Sequence, residues 1–121
     1  MRLLTFAALL ALAGPALAAS PPHFQVRNTA DLVRVCSTDP GDEYYASAIA
    51  FCHGFGVGAY RYYEAMTVAA NRFVCLPNPA STRAKVINDF LTWAGTHSEH
   101  LEKPAVDTLF RYLGGAYPCK K

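Results

Sequence analysis

Four cysteines, Cys36, Cys52, Cys75 and Cys119, are the side chains of this 121-residue sequence best placed for covalent chemistry. No C-x-x-C pair occurs, and Cys52-His53 are adjacent rather than spaced for chelation. An even number of cysteines in a short exported chain reads as two disulfides in an oxidising compartment. His97 and His100 lie three apart, but no carboxylate–His constellation accompanies them. The nine acidic residues are scattered without a pattern that a general acid and base would need. There is no G-x-S-x-G elbow, no C-x-x-C-H haem attachment and no phosphate-binding glycine loop. The expectation is therefore no catalytic residue, no metal and no cofactor. With 11 basic residues against 9 acidic ones, the chain also lacks the basic footprint of a nucleic-acid binder.

The elements that would position these residues are helical. Asn28 is a good N-cap, with Asp31 at the third helical position, and a short first helix follows to Cys36. A second helix is expected from Asp42 or Glu43 to about Asn71. Its inner stripe is Tyr45, Ala48, Cys52, Phe55, Ala59, Tyr62 and Met66, spaced three and four apart. Ser81 is expected to cap a third helix with Ala84, Ile87, Phe90, Leu91 and Ala94 inside. Gly95 to Lys103 reads as a loop. Pro104 suits the first turn of a fourth helix, with Val106, Leu109, Phe110 and Leu113 inward and Gly114-Gly115 at its end. The fold class is all-α: a small four-helix domain stapled by two disulfides.

Residues 1–18 read as a signal peptide. Arg2 supplies the positive end, Leu3–Ala13 the apolar stretch, Gly14-Pro15 the break, and Ala16-Leu17-Ala18 the cleavage pattern after Ala18. The stretch is too short to span a bilayer, which takes about 20 residues. The chain is expected to be periplasmic, with no membrane contact after cleavage. Residues 19–27 form a flexible lead-in, and 28–121 the helical domain. Three disulfide pairings are possible. In an up-and-down bundle the ends of helices two and four share a pole, which favours Cys75–Cys119 and leaves Cys36 to meet Cys52.

Two features point to a macromolecular partner. Gly54, Gly56 and Gly58 each cost about 1 kcal/mol relative to Ala in a helix interior. A close approach by another helix or a partner would explain that cost; a kink is the other explanation. Val86, Trp93 and His97 fall together on one flank of the third helix and are the candidate partner contacts. Tyr44, Tyr45, Tyr60, Tyr62 and Tyr63 cover several faces of the second helix, so they cannot all point inward.

The ordered set Asp31-Leu32 to Cys36, Phe51-Cys52-His53-Gly54-Phe55-Gly56-Val57-Gly58, Cys75-Leu76-Pro77, His97 and Tyr117-Pro118-Cys119 resembles the Tai-type immunity family. Its members are periplasmic proteins that neutralise peptidoglycan amidase effectors of type VI secretion. The chain departs where Phe55-Gly56 replace the family's usual Tyr-Ile and where Ser98, not Pro, follows His97. The resemblance implies a helical, disulfide-bonded, often homodimeric protein that blocks an amidase cleft with a protruding helix or loop. The expected function is that of a non-enzymatic inhibitor using the flank of helix three and the loop after it. The rival reading is an envelope stress or chaperone-like periplasmic protein without a cognate toxin.

Overall fold

The computed structural model describes residues 24–120. The expected signal peptide at 1–18, its cleavage residue Ala18 and the lead-in up to residue 23 lie outside that span. Helix α1 (Thr29–Cys36) starts on a capping box. The Asn28 side chain accepts the Asp31 N–H at 2.9 Å, and the Asp31 carboxylate accepts the N–H groups of Arg27 and Asn28 at 3.1 and 3.5 Å. Two more N–H groups at this helix start, those of Thr29 and Ala30, donate to the carbonyls of Lys103 and Leu101, both at 2.9 Å. The start of α1 is thus fixed to the loop ahead of the last helix, and its free donors are satisfied there.

Helix α2 (Tyr45–Met66) is one uninterrupted α-helix of 22 residues through all three glycines. It begins later than the sequence suggests. Asp42 turns the chain instead, its carboxylate accepting the Tyr44 N–H at 2.8 Å. It also ends earlier, because Thr67 and Val68 take extended backbone conformations and only a 3-10 turn, Ala69–Asn71, follows. Helix α3 (Arg83–Gly95) is capped by Thr82 rather than Ser81; the Thr82 hydroxyl accepts the Lys85 N–H at 3.2 Å. Helix α4 (Ala105–Ala116) takes Pro104 as its N-cap and runs through Gly114-Gly115 before ending. All four elements are helices, and no strand forms among the described residues.

Helix α1 packs on the other three helices, and Leu32 and Val35 on it are almost wholly buried. Val74, Ile87, Phe90, Ala94, Leu109 and Leu113 complete the centre of the core. The inner face of α4 is rotated from the expected one. Ala105, Thr108 and Tyr112 are buried with Leu109 and Leu113, while Val106 is 46% exposed. The small side chains of Ala105 and Thr108 lie where the neighbouring Pro104 forms an isolated β-bridge with Asn28 at the start of α1. Ala84 of α3 likewise faces solvent. The last residues of the lead-in are packed rather than loose, since Phe24 stacks on Phe51 with ring centroids 5.5 Å apart.

One cystine joins consecutive elements and the other joins distant ones. Cys36–Cys52 ties the end of α1 to α2, and Cys75–Cys119 ties the segment after α2 to the tail after α4. The second is reinforced by an isolated β-bridge between Val74 and Pro118 and by the Cys75 N–H donating to the Tyr117 carbonyl at 2.8 Å. Among the described residues no free cysteine remains.

Candidate partner-binding surface

Helices α2 and α3 leave between them a cleft of about 450 Å³. Gly56 is the residue that opens it. A Cβ there would stand 3.6 Å from Cδ1 of Ile87, so any larger side chain would grow into the space between the helices. Val57 and Val86 form facing apolar walls, and Leu109 and Leu113 of α4, only 2% and 4% exposed, form the floor. The polar lining of the cleft is His53, Tyr60, Arg61, Glu64, Ser81 and Arg83. Arg61 pairs with Glu64 at 2.6 Å. Burial raises the Tyr60 phenol above its ordinary range, and the Glu64 carboxylate adds to the effect, so the hydroxyl stays protonated and able to donate.

The three expected contact residues are divided. Val86 lies in the cleft. Trp93, about two turns further along α3, stacks on His97 with ring centroids 4.1 Å apart and planes 15° from parallel. His97 has left the helix. It precedes a 3-10 turn, Ser98–His100, and its Nδ1 lies 2.8 Å from the Trp93 carbonyl oxygen. His100 adds a second nearly parallel ring at 5.5 Å from Trp93. Beneath the indole are Tyr112 at 5.8 Å and Phe90 at 6.5 Å. Trp93 is therefore half-buried against α4, and its imidazole cover closes much of the flank that the helical wheel left open.

The glycines are divided too. Gly56 meets α3, whereas nothing lies within 4 Å of a Cβ built at Gly54 or Gly58. Those two face outward with Ala46 and Ala50, so no helix of this chain explains them. Only Ala48 and Cys52 of α2 are fully buried, yet the helix carries no charged side chain from Tyr45 to Tyr60. Its end is more apolar than a solvated face requires. Tyr62 and Met66, expected inside, are 68% and 67% exposed. Their inward place is taken by Tyr63, packed on Phe110 at 4.9 Å and Phe73 at 5.3 Å. The Tyr63 hydroxyl accepts the N–H groups of Phe73 and Val74 at 2.7 and 3.1 Å. Sequence reasoning missed the cleft and its two arginines, because i+3/i+4 spacing describes one helix and not the gap between two. The charge-free run in α2 was the available signal.

Among the described residues no group of three or more His, Cys, Asp or Glu side chains is close enough to hold a metal ion. No helix there is long and apolar enough to cross a membrane. What the surface offers is shape, apolar area and a few fixed charges.

The model of the Rap1a immunity proteins matches residues 28–119, which is nearly all of the described span. The chain belongs to the Rap1a immunity protein family. That family is a type VI secretion immunity family, so the expected class of protein stands. Immunity proteins of this kind are typically non-enzymatic and act by binding a cognate effector. The match runs from the α1 N-cap to the second cysteine of the tail, and so takes in both cystines, the cleft and the outer face of α2. Neither the curated proteins nor the solved structures gave a match.

Proposed function

We propose that this member of the Rap1a family is an exported immunity protein that binds a peptidoglycan amidase effector and blocks it sterically. The observation that carries the reading is the family match across the whole cystine-stapled domain. The amidase as target rests on the Tai-type resemblance in the Cys52–Gly58 and Tyr117–Cys119 segments. The periplasm as compartment rests on the leader pattern at 1–18 and on two cystines, which persist in oxidising surroundings. Three surfaces are available for contact: the cleft with Val86, the Trp93–His97 stack with its loop, and the outward face of α2. Gly54 and Gly58 let another backbone come close on that last face, which suits the effector or a second copy of the chain.

Competition between sibling strains tests the proposal. A strain lacking the gene should be killed by siblings with an active secretion system, and rescued by deleting the secreted amidase in the attackers. Normal survival among armed siblings together with poor growth in acid would instead favour an envelope stress protein.

A further inference from the structure

We infer that the α2–α3 cleft is a socket for a partner segment that carries aliphatic side chains beside a carboxylate. This rests on the reading of the chain as a protein-binding immunity factor and names the chemistry of what it grips. The apolar part follows from Val57, Val86, Ile87, Leu109 and Leu113, which offer the cleft no hydrogen-bonding side chain. A volume of about 450 Å³ holds a few aliphatic side chains and lies within the range of sites that bind small groups. The acidic part follows from charge. Among its polar lining residues, which also include His53, Tyr60 and Ser81, the cleft carries two exposed guanidinium groups, Arg61 and Arg83, against one carboxylate, Glu64. Arg61 already uses that carboxylate at 2.6 Å. Arg83 forms no ion pair with any of the nine acidic side chains of the chain, all of which lie within the described residues. A carboxylate placed beside Arg83 would give it a charge-assisted, two-pronged partner. Gly56 keeps the socket open, since a side chain there would grow toward Ile87.

The probe is the peptide acetyl-Leu-Leu-Asp-Leu-amide, titrated into the oxidised ¹⁵N-labelled protein. Saturable shifts are expected at Gly56, Val57 and Ile87, and the peptide with Asn in place of Asp should bind about threefold more weakly, as suits an ion pair to an exposed arginine. Arg83→Glu should cause a similar loss without unfolding, because an acidic residue suits the first turn of a helix. Gly56→Leu should abolish the shifts by filling the socket, with thermal melting as the check on folding. No saturable shift, shifts centred on Trp93 and His97, or binding indifferent to both substitutions would overturn the inference. The full protein against the secreted amidase delivered by siblings separates the two proposals. Equal binding of wild type and Arg83→Glu overturns the socket and leaves immunity standing. Peptide bound in the cleft with no amidase bound leaves the socket standing and rejects the amidase as target.

Discussion

Asp31 shows how much one short side chain can organise. It is the third helical residue of α1, 9% exposed, and its carboxylate serves two backbone N–H groups and the Arg34 guanidinium at 2.6 Å. The Arg27 N–H is the largest cause holding this carboxyl below its ordinary value, followed by Arg34. A lowered folded pKa means stability that is present above the unfolded value and lost as pH falls through the folded one. Unfolding free energy measured by urea should therefore fall below about pH 4, and Asp31→Asn should flatten part of that acid limb while lowering stability at neutral pH. Tyr63 is the second case. Removing its hydroxyl in Tyr63→Phe strips an acceptor from two N–H groups and should cost about 1 kcal/mol, read as a lower denaturation midpoint with an unchanged m-value. Asn28, Asp31 and the cysteines were legible in the sequence because caps and cystines are written in residue type. The exchange of Tyr62 for Tyr63 was not: neighbouring residues on a helix differ by 100°, and only the position of Phe73 and Phe110 decides which one turns inward.

Among the elements, α2 departs furthest from an ordinary surface helix. Its apolar residues surround it, and such a helix is normally covered on all sides. Here most of one side is open. That makes the glycines informative. At Gly54 and Gly58 a methyl group meets nothing, so Gly54→Ala and Gly58→Ala should each raise stability by roughly 0.5–1 kcal/mol. At Gly114 the same change places Cβ 3.1 Å from Phe73 Cδ2, and the gain should shrink or reverse. If the outer face of α2 contacts the effector closely, the two stabilising substitutions should weaken the complex while strengthening the fold. Differential scanning calorimetry and a binding isotherm on the same variants give both readings. The number and order of helices were readable from periodicity. The rotation of α4 was not, because Ala105 and Thr108 earn their buried places by being small beside α1, and hydropathy alone prefers Val106 and Phe110.

At the level of the whole molecule, the two cystines close loops of 16 and 44 residues. In the chain-entropy account these stabilise by roughly 3 and 4 kcal/mol, against a total of about 5–15 kcal/mol for a domain this small. They differ in access. Cys36 and Cys52 are 6% and 0% exposed, whereas Cys75 stands in solvent. Mild reductant should open Cys75–Cys119 first, leaving a species with two alkylatable thiols by mass spectrometry, and stronger reduction should unfold the chain. The pairing was readable because an up-and-down path puts the right ends together, whereas the cleft depends on how far two helices splay, which no local pattern records.

The central claim is that this cystine-stapled bundle is a surface that stops a cell-wall amidase. The most direct measurement is hydrolysis of purified peptidoglycan by a candidate type VI secreted amidase, with the oxidised protein added in increasing amount. Hydrolysis should fall in proportion to added protein and cease at stoichiometric ratio, with one joint peak on size exclusion. Undiminished hydrolysis at excess protein, with the two eluting apart, would contradict it.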